Sequence, residues 1–319
     1  MKHVYVLNMN PGFDKVMVVE SEPQTPNVIR TDATHWFPSG KGLNVSRVFK
    51  TLGFDAYTVL QILGGQSGKN IARYCEIQGM HTDNIWIEKE SRQNVTILKT
   101  YNGENITYNE IGPVVSKEEI SSYNQLVTKK LSADTEGILL VSGSGPNGYS
   151  EQDLLDIVSF AYDKGHPVYA DIGGRWLKSI IEYPLVLLKV NRYEFFQSFN
   201  IDLLDRKAVE KFKYKHAIKY LVVTDGDQGF HAWDDEQQYI HRPSCKTGMP
   251  VRCTVGCGDS FLGGLVAALV VGNSFSLALD IANWCAAANT MNFVPSHFSK
   301  DDVEIVRKIN GGGHERCRA

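Results

Sequence analysis

The chain has 319 residues, of which 33 are Lys or Arg and 36 are Asp or Glu, so its formal net charge is −3. Apolar residues make up 43% and charged residues 22%, which is typical of a globular protein and excludes a disordered one. A nearly neutral chain gives no electrostatic reason to expect nucleic acid or a membrane surface as a partner, and we expect neither.

The N-terminal segment and the cysteines indicate a cytoplasmic protein. The first apolar run is interrupted by Asn8, Asn10 and Pro11, so we expect no signal peptide. The longest uncharged apolar stretch, which starts at Phe261, is too short to span a bilayer. The six cysteines form no Cys-x-x-Cys pair and have no zinc-like spacing with histidine, so we expect free thiols in a reducing compartment.

Short apolar segments bounded by Gly, Pro or Asn alternate along the chain with amphipathic segments of helical length. We predict strands over residues 4–8, 57–63, 137–142, 167–171, 185–190 and 220–224. We predict helices over residues 42–52, 68–78, 151–164 and 210–219. This alternation predicts an α/β fold with a mostly parallel sheet that is covered on both faces. Ligands of such sheets bind at the carboxyl ends of the strands.

Two segments depart from this alternation and resemble antiparallel ribbons. One pairs residues 16–19 with 28–37, and the other pairs 94–101 with 105–111 around an Asn-Gly turn. We expect these strands, near 15–37 and 94–111, to form a small lid sheet on a single domain of residues 1–310. The apolar residues of this sheet predict a homodimer through the lid. The polar, Gly-rich segment 311–319 is expected to be a flexible tail.

The segment from Cys253 to Phe261, Cys-Thr-Val-Gly-Cys-Gly-Asp-Ser-Phe, combines small residues with a helix start. Backbone N–H groups at Gly256, Cys257 and Gly258 can converge there on an anion, supported by the helix dipole. A carboxylate at Asp259 is suited to accept a proton from a hydroxyl that attacks a phosphoryl group. The alternative reading is that Asp259 only caps the helix.

A second segment, Pro-Ser-Gly-Lys-Gly-Leu-Asn at residues 38–44, also opens a helix with small residues. Gly40 lies at the turn, and Lys41 and Asn44 are suited to contact sugar hydroxyls or phosphate. Together the two segments resemble the Gly-Gly-Lys-Gly-x-Asn and Gly-Ala-Gly-Asp-Ser/Thr-Phe motifs of the PfkB, or ribokinase-like, carbohydrate kinases. The resemblance runs from Asn8 to about Asn292 with the motifs in the family's order.

Finer matches point to the hexose-phosphate branch of that family, the 1-phosphofructokinases and tagatose-6-phosphate kinases. Asn-Pro-Gly-Phe-Asp at 10–14, Glu-Ser-Arg-Gln-Asn at 90–94 and Ser-Gly-Ser at 142–144 resemble motifs of that branch. The resemblance implies a ribokinase-like three-layer core with a β-sheet lid. It implies that the sugar is bound by six residues: Asp14, Gly40, Lys41, Asn44, Arg92 and Ser142.

The resemblance also implies a nucleotide half that binds ATP with Mg²⁺. Lys-Val-Asn-Arg-Tyr-Glu at 189–194 is similar to the family's Lys-Pro-Asn-x-x-Glu, and Thr-Asp-Gly-Asp-Gln-Gly at 224–229 to its Gly-rich turn. The implied nucleotide-binding residues are Lys189, Asn191, Glu194, Thr224, Asp225, Gly226, Gly229 and Asn289. Within this set, Glu194 is expected to hold Mg²⁺ through water.

Several positions depart from the family pattern. Ser39 replaces a Gly and Val190 a Pro, while Cys253 stands where ribokinases carry an Asp linked to their monovalent-cation site. Cys257 replaces Ala or Ser, and two readings stay open for it: a thiolate activated by the helix N-terminus, or an inert packing residue. A Walker-A reading of Gly-Gly-Gln-Ser-Gly-Lys at 64–69 is disfavoured because Asn70 stands where Ser or Thr should be.

The sequence therefore predicts an ATP-dependent kinase of a phosphorylated ketohexose, with Asp259 as general base. Fructose 1-phosphate is the first expected substrate and tagatose 6-phosphate the second. A kinase of an unphosphorylated sugar or nucleoside is one alternative, and it would need no cationic phosphate site. A catalytically weak sugar-phosphate sensor is the other.

Overall fold

A computed structural model of the protein describes residues 1–25 and 28–311, so all but the first residue of the expected tail lies outside the described residues. Ten helices are formed within that part of the chain: α1 Lys41–Leu52, α2 Gly65–Ile77, α3 Lys117–Ala133, α4 Glu151–Asp163, α5 Gly174–Ile180, α6 Arg192–Phe199, α7 Arg206–Lys215, α8 Cys257–Val270, α9 Phe275–Asn289 and α10 Lys300–Ile309. Among the described residues no helix is both long enough and apolar enough to cross a membrane.

The larger of two sheets has nine strands. They are β1 Val4–Asn8, β4 Tyr57–Gly64, β5 Thr82–Ile87, β8 Ile138–Ser142, β9 Val168–Asp171, β10 Leu187–Asn191, β11 Tyr220–Thr224, β12 Phe230–Trp233 and β13 Tyr239–Arg242. Their order is β13-β12-β11-β10-β9-β8-β1-β4-β5, and all pairs from β11 to β5 are parallel. At the β13 end of the sheet, β12 pairs antiparallel with β11, and β13 pairs antiparallel with β12.

Both faces of this sheet are covered, which confirms the predicted class. Because neighbouring side chains of a strand point to opposite faces, Val4 and Val6 join one hydrophobic cluster while Tyr5 and Leu7 join another. The first cluster includes Leu265 of α8, and the second includes Leu154 of α4. The result is a layer of helices on each side of a buried sheet.

The smaller sheet has four strands: β2 Gly12–Val19, β3 Ala33–Ser39, β6 Arg92–Lys99 and β7 Glu104–Asn109. The predicted ribbons β2–β3 and β6–β7 are antiparallel, and a parallel β2–β6 pairing joins them in the order β3-β2-β6-β7. We call this the lid sheet. Its inner face carries Val16, Val18 and Leu98, which pack with Cys253.

Helix α7 lies about four residues before the predicted span of 210–219. It begins at Arg206, where the Asp205 side chain accepts a hydrogen bond from the Ala208 amide, and it ends at Lys215. Ala217 then has a φ of 49°, which a continuing helix does not allow. The prediction followed apolar spacing and missed this N-cap signal.

Candidate active site

The carboxyl ends of four neighbouring strands bring polar residues to one edge of the large sheet. Ser142 of β8 is paired in register with Asp171 of β9, and Asn191 of β10 with Thr224 of β11. Ser142 Oγ is buried and has no hydrogen-bond partner in the described part of the chain. Ser142, predicted for the sugar, and Asn191 and Thr224, predicted for the nucleotide, thus lie along one edge, as expected for a parallel sheet.

Helix α8 presents an uncapped N-terminus to this edge. Gly256 precedes it with a φ of 84° and no side-chain cap, and a Cβ at this position would lie 2.7 Å from Pro295 Cβ. Only glycine fits this conformation and this approach. A Cβ on Gly258 would lie 2.9 Å from the Nζ of Lys189, so an ammonium group stands beside the first-turn amides. Together these groups form a site suited to an anion.

A buried carboxylate holds two lysines at the same place. Asp171 is fully buried and accepts from Lys41 Nζ at 3.2 Å and from Lys189 Nζ at 3.0 Å. Burial alone would raise the pKa of Asp171, but the two ammonium groups hold it below its usual value. Burial would lower the pKa of Lys41, but Asp171, Asp259 and Glu194 raise it. Lys41 is therefore charged at neutral pH.

Asp171 was not predicted as a site residue. It ends the strand predicted over 167–171, and an acidic residue at the carboxyl end of a buried strand is the signal that could have identified it.

Asp259 lies in the first turn of α8 and is almost completely buried. Its Oδ2 accepts a hydrogen bond from Asn44 Nδ2 at 2.8 Å, although the two residues are 215 positions apart. Burial raises the pKa of Asp259, and the Lys41 charge and the Asn44 hydrogen bond oppose this rise in part. Two motifs that the sequence treats separately thus meet at one carboxylate.

The substrate side continues onto the inner face of the lid sheet. Asp14 Oδ1 accepts from Asn94 Nδ2 at 2.7 Å, and Arg92 begins the neighbouring strand in register with Gly12. The pKa of Asp14 is raised by burial, and its hydrogen bonds and the charge of Arg92 oppose this rise only in part. At the start of α1, Gly40 has a φ of 125°, and a Cβ there would overlap Asn8 Oδ1.

The nucleotide side contains a capping box and a tight turn. Asn191 Oδ1 accepts from the Glu194 amide at 2.8 Å, and Glu194 Oε2 accepts from the Asn191 amide at 3.4 Å. These two side chains therefore have a structural role at the start of α6. Asp225 pairs with Arg192 at 2.9 Å, and the turn from Gly226 to Gly229 follows it. Gly229 has a φ of 93° and lies against the backbone of β13.

Asn289 and Cys257 lie beneath the start of α8. Asn289 is 1% exposed; its Nδ2 donates to Val255 O at 2.9 Å and to Cys257 Sγ at 3.2 Å, and its Oδ1 accepts from the Ser296 amide at 2.6 Å. A side chain so enclosed supports the loop at Cys257, and its contact with the nucleotide stays a prediction. Burial raises the pKa of Cys257 to about 11, which favours the reading of an inert packing residue over that of an activated thiolate.

The N-terminus of α2, where a Walker-A loop was considered, is closed by the chain itself. The Glu90 carboxylate accepts from the amides of Gln66 and Ser67, so these donors are already used. Within residues 1–25 and 28–311, no group of three or more His, Cys, Asp or Glu residues is arranged so that it could hold a metal ion. A Mg²⁺ ion that retains water and phosphate ligands needs only one or two carboxylates, and Glu194 can supply one.

Comparison of the sequence with known proteins points to one family. The sequence model of the pfkB family carbohydrate kinases matches residues 9–295. A tagatose-6-phosphate kinase from Staphylococcus epidermidis is 27% identical over 96% of this chain and 97% of its own. A 1-phosphofructokinase from Borreliella burgdorferi is 26% identical over 85% of this chain and 86% of its own.

A solved structure also has this fold. Phosphofructokinase-2 from Escherichia coli, in complex with substrates and products, superposes with a TM-score of 0.87 at 23% identity, covering 97% of this chain and 99% of that one. The similarity confirms the predicted ribokinase-like architecture of a mostly parallel core with a smaller sheet.

Proposed function

Because the chain belongs to the pfkB family of carbohydrate kinases and is an ATP-dependent sugar kinase, we propose that its acceptor is a phosphorylated ketohexose. Fructose 1-phosphate is the first candidate and tagatose 6-phosphate the second, and relatives named for these activities support both. The observation that carries the choice of a phosphorylated acceptor is the Arg92 guanidinium, which is anchored through Nε to Asn10 O at 3.1 Å. The buried carboxylate of Asp259, beside the start of α8 and the charges of Lys41 and Lys189, supports phosphoryl transfer itself.

In the proposed reaction Asp259 accepts the proton of the free primary hydroxyl of the sugar, and the oxygen of that hydroxyl bonds to the γ-phosphorus of ATP. The bond between that phosphorus and the β,γ-bridging oxygen breaks, and ADP leaves. Negative charge on the transferred group is stabilised by the ammonium groups of Lys41 and Lys189 and by the amides of Gly256 and Gly258. The Cys257 amide donates to Thr254 O at 3.3 Å and joins them only when it releases that carbonyl. Asp171 holds the ammonium groups of both lysines in place.

Sugar binding is proposed for the residues between the large sheet and the lid sheet. Asp14 and Asn44 are suited to hydrogen-bond sugar hydroxyls, and Ser142 Oγ lacks a partner in the described chain. Gly40 lets the backbone approach closely. Arg92 is the proposed contact for the substrate phosphate, since a guanidinium can donate two parallel hydrogen bonds to it.

The nucleotide is proposed to lie along the ends of β10 and β11, over Asn191, Glu194, Thr224 and the turn from Asp225 through Gly226 to Gly229. Bound Mg²⁺ would neutralise charge on the phosphates. Glu194 is proposed to hold this ion through water. Its carboxylate is close enough to Lys41 to raise the pKa of that lysine, so it lies near the proposed position of the transferred phosphoryl group. Asn289 holds the loop at Cys257 from below.

We also propose that residues 1–310 act as one kinase domain, and that two chains pair through the outer face of the lid sheet. Cys75, Cys245, Cys253 and Cys257 are free thiols, which supports the proposed cytoplasmic location.

A coupled ADP-release screen over hexoses and hexose monophosphates tests the substrate class. We expect turnover with fructose 1-phosphate or tagatose 6-phosphate and little with unphosphorylated sugars. Faster turnover of an unphosphorylated sugar or a nucleoside would favour the first alternative, and no turnover with any acceptor would favour a sensor.

Replacement of the general base tests the mechanism. We expect Asp259→Asn to lower kcat by about 10²–10⁴-fold, because the amide keeps the shape but accepts no proton. ATP binding, measured by calorimetry, should be nearly unchanged. Since burial raises the pKa of Asp259, wild-type kcat should fall on acidification at a pH above the usual aspartate range. An Asn variant within a fewfold of wild type contradicts this role.

A further inference from the structure

A buried arginine lies one helical turn beyond Asn44. Arg47 of α1 is 6% exposed, although its guanidinium is charged at neutral pH. A buried charge without partners is strongly unfavourable, so its position depends on the acceptors that surround it. The mechanism above gives this residue no part.

The Arg47 guanidinium donates to four segments of the chain. Nη1 donates to Asn44 Oδ1 at 3.0 Å and to Pro295 O at 3.3 Å, Nη2 to Pro38 O at 2.8 Å, and Nε to Gln78 Oε1 at 3.3 Å. Pro38 belongs to lid strand β3. Pro295 is the residue that packs against Gly256 at the start of α8. One side chain thus connects the lid sheet, the proposed anion site and Asn44.

The contact with Asn44 determines which way its amide faces. Arginine has only donors, so the Asn44 oxygen must point toward Arg47. The amide nitrogen then points the other way and donates to Asp259 Oδ2 at 2.8 Å. An ionised carboxylate has only acceptors. If the Asn44 amide were turned over, its oxygen would face the carboxylate oxygens of Asp259 and its NH₂ group would face the N–H groups of Arg47, and neither contact could be a hydrogen bond.

We infer that Arg47 is a positioning residue for phosphoryl transfer: it orients the Asn44 amide toward Asp259 and holds Pro38 and Pro295 beside the site. This inference rests on the proposed function, in which Asp259 is the base. The other charged groups that act on Asp259 are Lys41, Asp171 and Lys189, and none of them contacts Arg47 through a hydrogen bond in the described chain.

The test compares Arg47→Met and Arg47→Lys with Arg73→Met, a control at an exposed arginine of α2. Without Arg47 the Asn44 amide is free to turn, and Asp259 loses a donor that stabilises its charged form. The pKa of Asp259 then rises, so the acid limb of the kcat profile should move to higher pH by about half a unit or more. We expect kcat to fall about tenfold or more in Arg47→Met, with KM for ATP within about threefold of wild type.

Arg47→Lys should lie between wild type and Arg47→Met, both in kcat and in the pH of the acid limb, because lysine keeps the charge and part of the set of hydrogen-bond donors. Thermal unfolding of each variant shows whether it folds. An unshifted acid limb in folded variants overturns the inference, and so does failure of both variants to fold, since either result marks a purely structural arginine. Full activity of Asp259→Asn would instead overturn the proposed function.

Discussion

Arg92 is the residue on which the choice between phosphorylated and unphosphorylated sugars depends. Its Nε donates to Asn10 O at 3.1 Å, and its Nη groups donate to no protein acceptor within residues 1–25 and 28–311. Burial lowers the pKa of Arg92 and the nearby Asp14 carboxylate opposes this, so the guanidinium stays charged. An anchored, charged fork with unused donors is suited to a phosphate.

We expect Arg92→Ala to raise KM for the phosphorylated sugar about 10- to 100-fold, as loss of a charge-assisted contact of roughly 1.5–3 kcal/mol implies. KM for ATP should change little, and steady-state kinetics with both substrates measures this. Arg73→Ala, at an exposed arginine, is the matched control. Equal losses for phosphorylated and unphosphorylated acceptors would show that Arg92 does not contact the phosphate.

Cys257 is expected to be unreactive, because burial raises its pKa to about 11 and little thiolate is present at neutral pH. Iodoacetamide should therefore inactivate the enzyme slowly, and peptide mapping should find Cys257 mostly unlabelled when activity is still high. Cys257→Ala should be active and show the same slow loss. Rapid inactivation that the Ala variant resists would contradict this reading.

At the level of single residues, the candidate site residues that the sequence indicates are those in recognisable motifs, such as Asn44 and Asp259. It could not show that these two meet, because the contact spans 215 positions. Asp171 lies outside every motif, and the role of Arg47 depends on backbone carbonyls that only the fold brings together. The sequence left two readings open for Cys257 because it does not display burial, which raises the pKa of this thiol against the effect of the helix N-terminus.

Among the secondary-structure elements, the turn into α1 depends on a conformation that only glycine adopts. Gly40 combines a φ of 125° with close contact to the Asn8 side chain, whereas Gly103, in the β6–β7 turn, has a φ of 78° and no atom near the position of a Cβ. We expect Gly40→Ala to lower the free energy of unfolding by about 2 kcal/mol or more and Gly103→Ala by about 1 kcal/mol. Urea denaturation of both variants measures the difference, and equal losses would contradict the argument.

Buried strands were the elements that the sequence predicted best, and β1 and β11 have the predicted bounds. Their apolar runs between turn residues are long enough to be distinctive. The edge strands β12 and β13 have four residues each and pair only with each other and β11, so their pattern is too short to recognise. Strand β3 begins at Ala33 and not at residue 28, because the apolar residues Val28 and Ile29 precede it without pairing.

For the whole molecule, the order of strands and the parallel pairing of β2 with β6 were beyond prediction. Local patterns indicate that strands exist, but they carry no information on which strands lie side by side across 80 residues. The lid sheet and the large sheet both contribute residues to the proposed site, since Asp14 and Arg92 come from the first and Asp171 and Asn191 from the second. The proposed chemistry therefore depends on how the two sheets are held together.

The outer face of the lid sheet predicts the assembly of the enzyme. Met17, Ile97 and Ile106 are adjacent across three strands, and Trp36 and Tyr108 extend this apolar face; Ile106 and Tyr108 are 38% and 63% exposed. An apolar sheet face of this kind is stabilised when a second copy covers it.

We expect a dimer at micromolar concentration by sedimentation velocity and a monomer for Ile106→Lys, because a charge is costly to bury in an apolar interface. Ile305→Lys, at an isoleucine of α10 that is also 38% exposed, should remain a dimer. A wild-type monomer, or a dimer that survives Ile106→Lys unchanged, would exclude the lid face as the interface.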